Sequence, residues 1–439
     1  MVLGRLAVIL GLALAQCSTL LAQGAANDSK LAFVIPNLFG PNGLRLDNPD
    51  HDAHFDSSFQ ANFGPFNSAL ATQLTSLPIP SPASGFTYTF DGALGVYNRS
   101  AQSFGPILTE RAETIGKDRF YFGFSFQHFS FQKIDDVGLG NIPVVFTHSP
   151  TVDPASVFLQ DVISTQNLVD VQIGQLATFF TYGLTDRVDV SVAVPFLSAT
   201  VDAVSVATIQ RLGTGLLPED DPNRLAHTFR FGQDVAEQRY FNSGSASGLG
   251  DITIRVKGTA TKWEKAALAL AADVRLPTGD EFDFLGTGAP GFKPFVILSY
   301  AHSRFSPHVN VGYQFNGNSL LAGNLQTGEK GDLPDQFLYS TGVDIGVTEK
   351  FTLAADFLGQ RVIDAPRVGR TRAVSAAGVP TTLDTLAFTD GSFNTSDAAF
   401  GFKVSPAGTL LVTFNVIVKL NSGGLRGRVT PLVGLSYTP

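Results

Sequence analysis

From Val188 to Phe196 the chain reads V-D-V-S-V-A-V-P-F. Side chains alternate across an extended backbone, so Val188, Val190, Val192, Val194 and Phe196 share one face while Asp189, Ser191 and Ala193 take the other. The polar stretch Gly183-Leu184-Thr185-Asp186-Arg187 comes just before, and the aromatic run Thr178-Phe179-Phe180-Thr181-Tyr182 precedes that. Strand, tight turn, strand predicts a β-hairpin. The same unit recurs to the end of the chain.

Upstream, Phe120, Phe122, Phe124 and Phe126 alternate with Tyr121, Gly123, Ser125 and Gln127. Past His128 the apolar phase passes to Phe129 and Phe131, which predicts a bulge. Downstream, Ile252, Ile254 and Val256 alternate with Thr253, Arg255 and Lys257. After a turn at Lys262-Trp263-Glu264-Lys265, Leu268, Leu270, Ala272, Val274 and Leu276 alternate with Ala269, Ala271, Asp273 and Arg275. Val309, Val311, Tyr313 and Phe315 oppose His308, Asn310, Gly312 and Gln314, and Val343, Ile345 and Val347 oppose Asp344 and Gly346. Phe351, Leu353, Ala355 and Phe357 oppose Thr352 and Asp356; Phe400, Phe402 and Val404 oppose Gly401 and Lys403; Val412, Phe414, Val416 and Val418 oppose Thr413, Asn415 and Lys419.

Short turns fall near residues 117, 185, 263, 305, 349 and 407, whereas the connections near 135–168, 210–247, 277–293, 318–335, 365–391 and 421–426 are mostly long. Four phenylalanines on one strand face suit lipid, not water. Together these features predict an all-β fold, a closed antiparallel transmembrane β-barrel of about 12 strands from Arg119 onward, or about 14 if Phe86 to Tyr97 and Phe104 to Ile115 join.

Composition sharpens this picture. Charged residues are 15% of the chain, against roughly 25% in a typical soluble domain, so something other than charge covers much of the surface. Beyond the first 26 residues no apolar run reaches the roughly 18 residues a membrane helix needs, so spanning requires a closed sheet. The net charge of −8, without a basic stripe, argues against a nucleic-acid partner. A single cysteine, Cys17, excludes a disulfide framework. Arg5, the apolar core Leu6 to Ala15 and the small residues Gly24-Ala25-Ala26 predict a signal peptide over 1–26 and hence export. Cys17 follows Leu14-Ala15-Gln16, a poor lipoprotein box because of the glutamine. Residues 27–117 read as irregular, either a plug in the lumen or extra strands, and 118–439 as the barrel.

Several stretches together resemble a family of outer-membrane barrels associated with meta-pathway phenol degradation. They are Tyr182-Gly183-Leu184-Thr185-Asp186-Arg187-Val188-Asp189-Val190, Gly248-Leu249-Gly250-Asp251 opening a strand, Arg275-Leu276-Pro277-Thr278-Gly279-Asp280, and His308-Val309-Asn310-Val311-Gly312-Tyr313. The resemblance implies an outer-membrane protein moving small hydrophobic or aromatic compounds, and it transfers no functional residue. The tail, with Gly434 and then Tyr437, is similar to the insertion signal that outer-membrane proteins present to the barrel-assembly machinery, although Pro439 replaces the usual terminal Phe.

The candidate passage comprises the polar strand positions expected to face the lumen: Asp189, Arg255, Lys257, Asp273, Arg275, Asn310, Gln314, Asp344, Asp356, Lys403, Asn415 and Lys419. Their mixed signs argue against a filter for one kind of ion. His51 and His54, with Asp50, Asp52 and Asp56, look metal-like, but no further ligand pair stands nearby and a solvated loop is the expectation. Asp280, Glu281 and Asp283 could hold Ca²⁺ but lack EF-hand spacing, so a solvated turn is expected there too. Gly248-Leu249-Gly250 lacks the third glycine of a dinucleotide loop. His128 and Ser130 resemble the pair of outer-membrane phospholipase A, yet Phe131-Gln132 replaces its Asn-Gly and no third group orients the base. The expectation is a non-enzymatic channel with no cofactor or metal, contacting outer-membrane lipid and a small solute. A closed barrel acting as scaffold or adhesin through its external loops is the alternative, and a soluble β-sandwich is disfavoured by the exposed phenylalanine faces.

Overall fold

Phe120, Phe122, Phe124 and Phe126 stand exposed on the outer face of the first barrel strand, while Tyr121, Ser125 and Gln127 are buried inside. The computed structural model describes residues 30–40, 42–55, 64–81, 88–91, 96–99, 103–149 and 155–438; the stretch 1–26, expected to be a signal peptide, lies outside them. Twelve strands form the wall. They are β1 (Phe120–Phe131), β2 (Val162–Thr185), β3 (Val188–Gln210), β4 (Ile252–Lys262), β5 (Ala266–Leu276), β6 (Gly291–Tyr300), β7 (Phe305–Asn316), β8 (Gln336–Thr348), β9 (Phe351–Val374), β10 (Pro380–Val404), β11 (Leu410–Lys419) and β12 (Val429–Tyr437). Each pairs antiparallel with its neighbour in sequence, and β12 returns to β1 from Leu432↔Gln127 to Tyr437↔Phe122, so the sheet closes. Closure leaves no unpaired edge, the condition for spanning lipid with strands. Among the described residues no helix is long and apolar enough to cross a membrane.

The count is twelve rather than fourteen. Among the described residues, 88–91 pair only with 96–99, as a separate two-stranded sheet, and 104–115 form no strand. Two extra strands do join the sheet, above the wall and not within it: Ile142–Thr147 along β2 and Glu237–Leu249 along β3. Gly248-Leu249-Gly250-Asp251 does open a strand, β4 at Ile252, but its first two residues also end the extra strand Glu237–Leu249. It is a joint between two strands that share β3 as partner.

The expected long connection at 365–391 is also corrected. β9 and β10 remain paired up to Val374↔Pro380, with only a short turn between them, and β2 and β3 pair from Thr185↔Val188 to Val162↔Gln210. At about 3.3 Å per residue, strands of 24 residues greatly exceed an apolar band about 25 Å tall, even when tilted. These ribbons stand out of the membrane. There both faces meet water or other protein, which is why Arg367, Arg370 and Arg372 interrupt the apolar alternation.

No bulge occurs after His128. β1 and β2 pair without a register shift from Phe120↔Tyr182 to Phe131↔Val171, so Phe129 and Phe131 point inward and are buried. The interior is greasy at that level because the N-terminal segment fills it. Leu31, Val34, Ile35 and Leu38, with Leu70 and Leu74 of helix α1 (Gly64–Thr75), pack against Phe129, Phe131, Val171, Ile173, Leu197 and Val201. Each such side chain removed from water contributes about 1.5–3 kcal/mol.

At the opposite end the segment joins the wall through Gly116 (φ +96°) and Asp118 (φ +58°), whose N–H donates to the carbonyl of Gly183 at 2.9 Å. A Cβ on Gly183 would collide with the carbonyl oxygen of Gly116. Gly183→Ala is expected to lower stability by about 1–3 kcal/mol, the usual cost of overpacking, read as an earlier midpoint of guanidinium unfolding in detergent.

Candidate functional site

Residues 103–116 run through the barrel as a strap without regular secondary structure. A buried peptide in this state must find partners for its N–H and C=O groups, and the inward polar side chains of the strands supply them. At the short-turn end, Thr352 Oγ1 accepts from Phe104 N at 3.0 Å. Lys403 Nζ donates to the carbonyls of Phe104 (3.3 Å), Gly105 (3.0 Å) and Pro106. Asp344 accepts from Ser103 Oγ and also meets His308 Nε2 at 2.5 Å, and the other nitrogen of that ring meets Ser299 Oγ at 2.8 Å.

Farther along, Asp356 accepts from the N–H groups of Leu108 (3.2 Å) and Thr109 (3.4 Å) and from Thr109 Oγ1 (2.6 Å). Asn310 pairs twice with the Glu110 backbone, accepting at 2.7 Å and donating at 3.0 Å. Arg255 grips Asp273 with two nitrogens (2.6 and 2.7 Å) and reaches Glu110 with a third, while Lys293 Nζ lies 2.8 Å from Asp273. Lys257 Nζ donates to the carbonyls of Arg111 (3.2 Å) and Glu113 (2.8 Å), and Asp189 accepts from Ile115 N at 3.0 Å. Thus Asp189, Arg255, Lys257, Asn310, Asp344, Asp356 and Lys403 bond to the strap directly, and Asp273 acts through Arg255. Their mixed signs follow from the task, since a peptide presents donors and acceptors in turn.

The remaining four sit elsewhere. Arg275 and Gln314 reach the Thr75 carbonyl at the end of α1 (3.5 and 3.3 Å) and share Asn316 Oδ1 (2.9 and 3.0 Å). Lys419 stands on the wall of a cavity, and Asn415 is buried with no hydrogen bond to its amide among the described residues. Thr259, Ser299 and Thr352, short polar residues that also hold the strap, escape a reading that looks for charge.

Between the end of α1 and the strap lies a cavity of about 260 Å³. Gln73, Thr75, Leu77 and Pro78 border it on the helix side, Leu108 and Glu110 on the strap side. Its wall mixes aromatic rings (Phe129, Phe131, Phe295) with Arg255, Asp273, Arg275, Lys293, Asn310, Gln314 and Lys419. The guanidinium of Arg255 lies 5.0 Å from the centre of the Phe295 ring and Lys293 Nζ 5.5 Å from it, both within cation–π range. A single planar ring fits such a space, since an apolar cavity of roughly 150 Å³ takes up benzene.

The other candidates are placed as follows. His128 and Ser130 take the outward strand positions of β1, in phase with Phe126, and Ser130 Oγ accepts from Gln132 Nε2 at 3.2 Å. Asp280 and Asp283 bind Lys30 Nζ at 2.9 and 2.6 Å, and Glu281 turns to Ser319 Oγ at 3.2 Å. These carboxylates are thus neither a solvated turn nor a gathered oxygen cage; two of them fasten the start of the N-terminal segment. Those two hydrogen bonds raise the Lys30 pKa.

His51 and His54 do find further ligand-type partners, from distant parts of the chain: His148 and His227 lie beside them. No sequence spacing could show this, because the four come from three separate segments. Burial, and then the neighbouring imidazoles, push His51 down to about 4, and burial lowers His54 and His148 as well. An unfolded chain takes up protons on these rings below about 6.5, whereas the folded chain resists until near 4 for His51. The stabilisation is complete above 6.5 and is lost as pH falls through this window. Hydrogen exchange of residues 42–55 is therefore expected to quicken between pH 7 and pH 5 relative to the wall strands.

Residues 156–333 match the family described as "Putative MetA-pathway of phenol degradation". No curated protein matches the chain. Among solved structures, an outer-membrane channel from Pseudomonas putida F1 is similar at 11% identity, over 75% of this chain and 98% of that one, with a TM-score of 0.39. The Pseudomonas putida toluene transporter TodX is similar at 8% identity over 82% and 96% (TM-score 0.34), and a Pseudomonas aeruginosa FadL homologue at 10% over 73% and 90% (TM-score 0.31). Likeness at this level carries no argument about function. What the family match adds is a relationship: through β2 to β7 of its twelve-stranded barrel, the chain is similar to the family of that description.

Proposed function

We infer that the protein is an outer-membrane channel for small, weakly polar solutes, aromatic ones above all, and that the strap at residues 103–116 closes it at rest. In this reading 1–26 is a signal peptide, 27–117 the plug and 118–439 the channel wall. The outer phenylalanine faces meet lipid, and β12 is the strand presented to the assembly machinery. Passage is non-enzymatic.

One observation carries the proposal. The strap is seated by hydrogen bonds and ion pairs to polar side chains, whereas the cap around α1 is seated by apolar packing. If the strap withdraws, the wall it leaves is hydrophilic and wets, so the bore opens as far as the apolar cap around α1, which must shift as well for a solute to pass. The ring-sized cavity with aromatic and cationic walls suits a phenol-like solute, in keeping with the family's description. Uptake of labelled phenol into proteoliposomes tests this: intact protein should accelerate entry over empty vesicles, and deletion of residues 25–117 should accelerate it further. No acceleration by either form would favour a closed scaffold whose external ribbons bind a partner.

A further inference from the structure

The seven histidines of the chain are not evenly spread, and four of them meet at one point beyond the barrel wall. His51 and His54 come from the N-terminal segment, His148 from the β1–β2 connection and His227 from the β3–β4 connection. One nitrogen from each lies within 4.8 Å of all the others. Adjacent rings are 4.5 to 5.2 Å apart centre to centre, and Phe55 and Phe158 pack around them. Among the described residues, His51 Nδ1, His54 Nδ1, His148 Nε2 and His227 Nε2 are each buried without a hydrogen-bond partner, and the His148 and His227 residues are 2% and 0% exposed. Four convergent orphan nitrogens are a costly arrangement if they only pack.

The surroundings explain what they await. His227 gives its other nitrogen to Asp161 at 2.7 Å. That carboxylate is itself held by Gly213 N (2.8 Å), Thr214 N (3.1 Å) and Thr214 Oγ1 (2.6 Å). His148 Nδ1 donates to the Ser149 carbonyl at 2.7 Å. Each outer bond fixes a tautomer and aims the lone pair of Nε2 inward, the support that ligating histidines receive in metal sites.

We propose that His51, His54, His148 and His227 form a binding site for one divalent d-block ion of the zinc class, clasping the N-terminal segment to two external connections. An all-imidazole set excludes Ca²⁺ and Mg²⁺, which require oxygen ligands, and suits Zn²⁺, Co²⁺, Ni²⁺ or Cu²⁺. Metal–nitrogen bonds of about 2.0–2.1 Å hold tetrahedral ligands about 3.3 Å apart, so binding draws the rings inward by an ångström or so. His51 and His54, both partly buried, come from the N-terminal segment, and the two fully buried histidines come from the connections.

The test uses the full mature chain, free of any histidine tag, folded in detergent and stripped with chelator. Co²⁺ titration should saturate at one ion per chain with the intense visible absorption of four-coordinate cobalt, and Zn²⁺ should displace it. His54→Gln and His227→Gln should each weaken Co²⁺ binding at least tenfold, while His302→Gln, in the β6–β7 turn, should leave it unchanged. Heat-modifiable gel mobility confirms that each variant retains its barrel. Absence of stoichiometric binding, the weak spectrum of six-coordinate cobalt, or full affinity in folded His54→Gln would overturn the proposal.

Discussion

Replacing Lys403 with methionine is expected to loosen the strap and make the barrel leak, although the wall itself stays folded. Lys403 is 1% exposed and its ammonium group serves three consecutive strap carbonyls, those of Phe104, Gly105 and Pro106. Methionine keeps the length and loses every donor. A buried acceptor left without its partner costs about 1–3 kcal/mol, and three carbonyls lose theirs together. A loss of about 3 kcal/mol shifts the seated and unseated populations by more than about a hundredfold. The measurement is influx of a small dye or sugar into proteoliposomes. Lys419→Met is the control, because Lys419 stands on the cavity wall and touches no strap carbonyl.

The second large effect lies on the outer face. Phe126 is 51% exposed and points toward lipid midway along β1, where an arginine costs about 2–4 kcal/mol. Phe126→Arg should lower the unfolding free energy in phosphatidylcholine vesicles by that amount. Phe129→Arg separates two descriptions of the same strand. If a bulge had turned Phe129 outward, it would behave like Phe126. Because Phe129 faces the cap, its replacement should spare membrane insertion and instead expose residues 30–75 to protease.

These two phenylalanines also show what could be read from the chain. Alternation located the wall strands wherever one face meets lipid and the other meets polar groups, and the short turns at 186–187, 263–265, 301–304, 349–350 and 405–409 follow from it. The rule that apolar means lipid fails at Phe129 and Phe131, where the filling of the lumen is itself apolar. Above the membrane the rule has no purchase, so the β9–β10 ribbon resembled a loop. Polar strand positions such as Asp356 and Lys403 were visible as candidates, but their partner was not. A strap whose backbone is satisfied by side chains has no period to detect, only the charged run Glu110-Arg111-Ala112-Glu113 in a stretch otherwise poor in charge. His51 and His54 were visible as a pair, while His148 and His227 join them only through folding.

The strap fills a lumen whose polar wall would otherwise hold water. Planar-bilayer recording of the intact chain beside a chain lacking residues 25–117 addresses this directly. The intact protein should pass little or no steady current and the deletion should give stable, long-lived conductance, with both forms giving folded barrels on heat-modifiable gels. Equal conductance from the two, or a silent bilayer with the folded deletion, would contradict it.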